Sequence, residues 1–292
     1  MLRKVFVIAA ALALAGAPAL AAGTHPYEPR EHVWGFEGPF GKFDQAQLQR
    51  GYKVFSEVCQ QCHTADLLSF RNLGEKGGPF WNPKYPNPND NPVVKSLAAD
   101  AQVPDIDPDT GDVIQRPGTT ADHFKRPFPN AAAAAASNGG AIPPDLSVMA
   151  KAREGGPRYI YSVLTGYTKA PAGFDMHNLS PPAGKHYNPY FPGDVSSFWH
   201  MEIKDEKARP PAPEGGLIGM PPPLTPDKVS FDDGTKSTVD QEAKDVVAFL
   251  AWASDPKQTE RKQTGFAVMI YLLILTGLAY ASYRRVWRNE SH

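Results

Sequence analysis

Cysteine is nearly absent from this chain, which has only two among its 292 residues, at positions 59 and 62. Two thiols cannot supply a four-cysteine zinc site. A thioredoxin-like dithiol needs a βαβ context, which the proline-rich flanks of this pair do not offer. A basic excess is absent as well, because the formal net charge is −1. This charge balance argues against nucleic acid as a partner.

The two cysteines lie in the motif Cys59-Gln60-Gln61-Cys62-His63, and C-x-x-C-H is the attachment signal for a c-type haem. In a helix, positions i, i+3 and i+4 share one face. A porphyrin on that face could be bonded by both sulfurs while the imidazole reaches the iron. We therefore predict thioether bonds at Cys59 and Cys62 and an iron ligand at His63. A structural disulfide between the two thiols is the alternative.

Each end of the chain carries a segment suited to a membrane. Residues 1–22 begin with a basic pair, continue with an apolar run and end in small residues, which is typical of a secretory signal peptide. Residues 264–283 contain no charged side chain, and twenty helical residues span about 30 Å, the thickness of a hydrocarbon core. Arginines follow at once, so the positive-inside rule predicts a cytoplasmic tail at 284–292.

Between these segments, residues 23–263 are predicted to form one domain held at a membrane, on the periplasmic side of a bacterial inner membrane or in the equivalent intermembrane space of an organelle. Five of the 30 Lys+Arg and one of the 31 Asp+Glu lie outside this domain, so its net charge is about −5. A mildly acidic surface suits a cationic protein partner, although charge of this size is also ordinary for solubility.

Within this domain, helix caps and apolar spacing predict a mostly α fold with long loops, that of a c-type haem domain. Asp44 precedes the helix that leads into the cysteine motif, with Gln47 as its capping-box partner. Residues 77–129 are rich in Pro, Asn, Asp and Gly, and we expect a long surface loop there, without helix or central strand. Further helices are predicted at 66–73, at 131–136 after an Asn130 cap, at 145–154, at 157–166, and at 239–254 after a cap at Ser237 or Thr238.

The second axial ligand of the iron has to be chosen among methionines and histidines. A thioether opposite His63 would raise the reduction potential, whereas an open position would favour gas binding or peroxide chemistry. Met220 has the most suitable surroundings, because the prolines at 221–223 fix its backbone in an extended form. Met149 lies on a predicted helix, where a core contact is its more natural role. The alternatives left open are Met176, Met201 and the histidines at 25, 32, 123, 177, 186, 200 and 292.

Several stretches of the chain resemble the cytochrome c1 family in sequence and in order. They are GKFDQAQLQRGYKVFSEVCQQCH at 41–63, NGGAIPPDLSVMAKAREGG at 138–156, YNPYFPG at 187–193, IGMPPPL at 218–224, FDDGT at 231–235 and AKDVVAFLAWASDP at 243–256. The resemblance implies that Cys59 and Cys62 bond the haem and that His63 and Met220 ligate its iron. It also implies that Arg153 and Tyr159 contact the haem and its propionates. Residues 194–216 depart from the family pattern and look like an insertion.

The resemblance further implies an electron carrier with one covalent haem c, which is not an enzyme on its own. In quinol–cytochrome c reductase, such a subunit stands beside a cytochrome b subunit. It takes an electron from the Rieske iron–sulfur protein and passes it to a cytochrome c. Two alternatives stay open. One is a haem-c subunit of another respiratory or dehydrogenase complex, and the other is a haem enzyme or gas sensor with an open sixth position.

Overall fold

The computed structural model describes residues 26–170, 184–193, 195 and 213–289. The predicted signal peptide, Met176, Met201 and most of the 194–216 insertion lie outside these residues. The described α-helices are α1 (Gln45–Glu57), α2 (Pro92–Ala99), α3 (Ala131–Ser137), α4 (Met149–Ala152), α5 (Gly156–Thr165), α6 (Val239–Ser254) and α7 (Gln258–Val286). The strands form two antiparallel pairs, β1 (Gln102–Ile106) with β2 (Val113–Pro117) and β3 (His186–Asn188) with β4 (Gly216–Ile218). The predicted mostly α fold is confirmed.

Helices α1 and α6 cross at the centre of the domain, and their apolar faces form much of its core. Gly51 lies at the crossing, where a β-carbon would overlap the carbonyl oxygen of Asp245. Only glycine therefore allows the two backbones to approach this closely. The rings of Phe55 and Trp252 pack against Phe249, with centroids 5.3 and 5.5 Å apart. Each of these buried rings stabilises the fold by roughly 2–3 kcal/mol.

A buried ion pair locks the register between the same two helices. Arg50 on α1 donates from Nε to Oδ2 of Asp245 at 2.8 Å and from Nη2 to Oδ1 at 3.2 Å. Asp245 is completely buried, and a buried carboxylate needs a partner of this kind. The crossing and the ion pair together fix the position of α1 in the domain. The cysteine motif begins two residues after the C-terminal end of α1, so its position follows from that of the helix.

Three helices begin at the caps that the sequence predicts. The Asp44 carboxylate accepts a hydrogen bond from the amide of Gln47 at 2.7 Å. At the start of α6, the Thr238 hydroxyl accepts from the Gln241 amide at 3.1 Å. Asn130 accepts from the amide of Ala133 at 2.8 Å. Each bond satisfies an amide that has no partner inside its helix, so these starts are confirmed.

The prediction of a structureless loop at 77–129 is wrong, because this stretch contains α2 and the β1–β2 hairpin. Its prolines stand where regular structure tolerates them. Pro92 is the first residue of α2, where a missing amide hydrogen costs nothing. Pro104 and Pro117 lie in a ribbon of only two strands, each of which has a free edge.

Two predicted helices are shorter than expected. The helix at 145–154 is reduced to α4, because the Asp145 carboxylate bonds to a different segment and Arg153 is already extended, with ψ of 137°. The helix at 66–73 is replaced by a 3-10 helix at Phe70–Gly74. The residues before it pair with the 120–124 segment, since Phe124 donates its amide to the carbonyl of Leu68 at 3.2 Å.

Helix α7 follows directly after α6, with the break at Asp255 and Pro256 that the sequence predicts. It is long and apolar enough to cross a membrane, with a mean hydropathy of 1.9 and no part of its apolar window buried in the domain. The predicted span at 264–283 lies inside this helix.

Candidate functional site

The cysteine motif continues the polypeptide directly from α1, but with a tighter winding than predicted. The α-helix ends at Glu57, and Cys59–Gln61 form a 3-10 helix. The amides of Cys62 and His63 both donate to the carbonyl of Cys59, at 3.1 and 2.9 Å. The three functional side chains therefore project from one compact turn rather than from a continuous α-helix.

The imidazole of His63 is held by a backbone carbonyl from a distant part of the chain. Its Nδ1 lies 2.8 Å from the oxygen of Pro144. Because a carbonyl can only accept, Nδ1 must carry the proton, and the lone pair is left on Nε2. Burial lowers the pKa of His63, against the opposing effects of the Pro144 carbonyl and of Asp145. A neutral ring with a free Nε2 is the form that binds a metal.

Asp145 ties the residues after His63 to the same distant segment. Its Oδ2 accepts from the Thr64 hydroxyl at 2.8 Å and from the Asp66 amide at 2.7 Å, while its Oδ1 accepts from the Ser147 amide at 2.9 Å. Burial alone would raise the pKa of Asp145, but these hydrogen bonds outweigh it and lower the pKa.

Two further hydrogen bonds join the same segments. The Leu146 amide donates to the Thr64 carbonyl at 2.8 Å, and the Leu67 amide donates to the buried hydroxyl of Ser147 at 3.0 Å. The segments 63–67 and 144–147 therefore form one hydrogen-bonded unit, which we call the His63 clamp.

The two sulfurs lie at the edge of the core. Cys59 packs against the main apolar cluster, and both cysteines are free thiols. Burial raises the pKa of Cys59 to about 12, with a smaller contribution from Cys62. Half-buried thiols beside a histidine with a free ring nitrogen are a donor set that fits haem c, in which both sulfurs become thioethers.

Met220 lies in a loop that the second small sheet holds. Strand β4 pairs with β3, and Gly219 and Met220 follow it immediately. The Tyr167 hydroxyl donates to the Met220 carbonyl at 3.1 Å, and Leu224 at the end of the proline run is buried in the core. Both ends of this loop, residues 219–224, which we call the Met220 loop, are therefore fixed, and the half-buried side chain of Met220 lies between them.

The Met220 loop and His63 border the same short segment of chain. A β-carbon on Gly219 would lie 3.1 Å from that of Ala141, and Ala141 is three residues before the Pro144 that holds His63. Of the other methionines, Met149 packs against the core from α4, as predicted. His32 stacks on Tyr161, and His186 lies in β3.

Arg153 and Tyr159 lie on either side of the α4–α5 junction. Arg153 follows α4 and is exposed, and Tyr159 on α5 is half-buried against the core. Burial raises the pKa of Tyr159, and the nearby Arg153 charge opposes this rise. Tyr159 in turn affects Tyr167, whose pKa is raised first by burial and then by Tyr159. Of these three side chains, Tyr167 is the one that the structure joins to the Met220 loop by a hydrogen bond.

Pro144, Asp145 and Tyr167 belong to the site, although the sequence did not single them out. Nothing in one sequence pairs residue 63 with residue 144, since the contact bridges about eighty residues. The one available hint was Asp145 itself, a capping residue that directly follows two prolines and could therefore end an irregular segment.

Comparison with known proteins identifies the family of this chain. The Cytochrome C1 family model matches residues 34–290. Cytochrome c1 of Rhodospirillum rubrum is 38% identical, over 98% of this chain and 97% of that protein. Cytochrome c1 of Blastochloris viridis is 39% identical, over 95% and 92%. Cytochrome b/c1 of Bradyrhizobium diazoefficiens is 39% identical over 90% of this chain, which spans 36% of that relative's length. The chain therefore belongs to the cytochrome c1 family of electron-transport proteins, which carry a single covalently bound haem c.

Proposed function

We propose that this chain carries electrons from the Rieske iron–sulfur protein to a cytochrome c within the quinol–cytochrome c reductase complex. Alone it is not an enzyme, because no substrate bond is made or broken on it. The observation that carries the proposal is the bond between His63 Nδ1 and the Pro144 carbonyl. That bond leaves the lone pair of Nε2 available for the iron, and the two half-buried thiols of the same motif are available for thioether bonds to the haem.

The proposed haem ligands are divided between the two ends of the domain sequence. Cys59 and Cys62 would form the thioether bonds to haem c, and His63 and Met220 would ligate its iron. The haem supplies reversible one-electron redox chemistry. The chain's own task is to hold the ligands in place, so that little reorganisation accompanies the gain or loss of an electron. The His63 clamp performs this task on one side, and the proline run with Tyr167 performs it on the other.

Arg153 and Tyr159 are proposed to contact the haem propionates. A guanidinium offsets the charge of a partly buried carboxylate, and charge-assisted hydrogen bonds are stronger than neutral ones. Arg153 directly follows α4 and Tyr159 lies in the first half of α5, so their positions on the two sides of one short junction support this pairing.

The proposed location is the inner membrane, crossed once by α7, with residues 23–263 on the periplasmic side. The charge-free run at 264–283 and the arginines that follow it support this topology. In this position the domain stands beside a cytochrome b subunit and within reach of the mobile Rieske protein. The net charge of about −5 on the periplasmic part favours a cationic cytochrome c as the acceptor.

Two measurements test the proposal. First, the chain is precipitated in acid–acetone and washed. The polypeptide should keep the colour of a covalently bound haem, and a colourless product would contradict the ligand assignment. Second, electron transfer from the reduced complex to a cationic cytochrome c is followed at increasing salt. The rate should fall as charges are screened, and a rate independent of salt would refute electrostatic docking.

A further inference from the structure

A short loop beside the membrane helix presents a single phenylalanine at its tip. The loop comprises residues 34–42 and is named the Phe40 loop. Its two ends meet through a hydrogen bond from the Lys42 amide to the Gly35 carbonyl at 3.0 Å. Trp34 and Phe36 are buried, each with 3% of its surface exposed, whereas Phe40 is 73% exposed. The base of the loop is thus part of the core, and its tip projects outward.

The shape of this loop is determined by close backbone contact. A β-carbon on Gly41 would overlap the carbonyl oxygen of Glu37, so position 41 accepts only glycine. The ring of Phe36 stacks on that of Phe43, with centroids 4.8 Å apart. The exposed position of Phe40 is therefore a property of the folded loop and not of a loose segment.

Two contacts join the loop to the first turns of α7. The Lys262 ammonium donates to the carbonyl of Phe36 at 2.7 Å. Four residues further along the helix, the ring of Phe266 meets the ring of Phe40 edge to face, with centroids 5.6 Å apart. The tip of the loop is therefore held against the helix at the level of Phe266.

That level is the boundary of the hydrocarbon core. Phe266 is the third residue of the charge-free run at 264–283, and a helix rises about 1.5 Å per residue. Phe266 therefore lies only about 3 Å along the helix from the start of the apolar span, and the Phe40 ring is in contact with its ring. Lys42, two residues after Phe40, is exposed, and a long cationic side chain at this depth can extend toward lipid headgroups.

We propose that Phe40 inserts into the bilayer interface and gives the periplasmic domain a second contact with the membrane. The occupant of this surface is lipid, because the exposed ring continues the apolar surface of α7 at the same level. A domain attached to the membrane through one helix alone could tilt relative to the bilayer. A second contact with the membrane restricts the orientation of the domain. The inference rests on the proposed membrane anchoring by α7.

Spin labelling tests this position in the intact complex reconstituted in nanodiscs. Labels are attached to Phe40→Cys, to Leu273→Cys in the middle of the span, and to Val33→Cys. Val33 is 88% exposed and follows His32, which stacks on Tyr161. Tyr161 bonds to Asp240 in the first turn of α6, at the end of that helix opposite to the anchor. Val33 is therefore the aqueous control.

Collision rates with oxygen and with a water-soluble nickel chelate report the depth of each label. The ratio of oxygen to nickel collisions at position 40 should exceed that at position 33 severalfold and approach that at position 273. Equal ratios at 40 and 33 would overturn the proposal. So would low rates with both reagents at position 40, since they would mean that a partner subunit covers the loop.

The same experiment separates this inference from the proposals on which it rests. An aqueous signal at position 273 would overturn the anchor and the loop contact together. If the unsubstituted chain takes up spin label, Cys59 and Cys62 are free thiols and the proposed thioether bonds are contradicted. The depth of position 40 is still measured in that case, because it is obtained from the difference between the variants. Adding Gly41→Ala to Phe40→Cys should open the loop and lower the oxygen-to-nickel ratio at position 40.

Discussion

The two sides of the proposed haem site are built in different ways. On the His63 side, the clamp joins two segments through several hydrogen bonds. The ring nitrogen of His63 donates one of them, the carboxylate of Asp145 accepts others, and backbone groups form the rest. On the Met220 side, one tyrosine hydroxyl and a proline run hold the loop. The His63 side is ordered mainly by hydrogen bonds, and the Met220 side is ordered mainly by the restricted backbone of its prolines. We therefore expect changes on the His63 side to affect folding and changes on the Met220 side to affect mainly the potential.

The largest effect is expected for His63→Ala. This change removes the proposed iron ligand and the bond to Pro144 together, so the low-spin haem spectrum should be lost completely. Optical spectra of the purified protein measure this. His123→Ala is the matched control, because His123 pairs with Ser69 through its backbone, and its spectrum should be unchanged. A low-spin spectrum in His63→Ala would assign the proximal ligand to another residue.

Asp145→Ala should destabilise the fold without removing a ligand. It deletes the acceptor of three hydrogen bonds, and we expect the free energy of unfolding to fall by about 2–3 kcal/mol. Denaturant titration of the holoprotein checks this value. Asp145→Asn keeps one acceptor oxygen and should lose less. If the alanine variant is as stable as the unsubstituted chain, the clamp does not order this side of the site.

Met220→Leu should change the potential far more than the stability. Exchanging Met for Leu conserves volume and costs less than about 1.5 kcal/mol. Loss of a thioether ligand should lower the reduction potential by on the order of 0.1 V, within the ~0.8 V that axial ligands span.

Redox titration and the near-infrared sulfur-to-iron band of the ferric form measure the effect of Met220→Leu. Met149→Leu makes the same exchange in the core, and there both signals should persist. If the band also persisted in Met220→Leu, the distal role would pass to another residue.

The smallest effect is expected for Tyr167→Phe. The hydroxyl donates one neutral hydrogen bond to the loop, so the loss in unfolding free energy should be about 1 kcal/mol. The near-infrared band should remain, with a slightly lower potential. Tyr161→Phe removes a comparable hydroxyl, which bonds to Asp240, and should leave the potential unchanged. A larger shift in potential for Tyr161→Phe would refute the special role of Tyr167.

Much of the helical framework could be predicted from local patterns. Asp44, Asn130 and Thr238 act within three or four residues of where they stand, so their caps can be recognised in the sequence alone. The high proline content of residues 77–129 argues against regular structure, and it therefore does not predict the α2 helix or the β1–β2 hairpin. Whether Pro92 or Pro104 interrupts an element depends on whether its nitrogen faces a partner, and composition does not give that.

Local sequence is enough to predict the chemistry of the proposed site, since spacing within five residues brings two sulfurs and an imidazole together whatever the rest of the chain does. It is also enough to identify α7 as a helix that can cross a membrane, because length and apolarity define such a candidate. The tertiary structure alone decided which nitrogen of His63 is free and how the Met220 loop is held. Those properties depend on contacts between residues 63 and 144 and between 167 and 220, and only folding brings such distant positions into hydrogen-bonding distance.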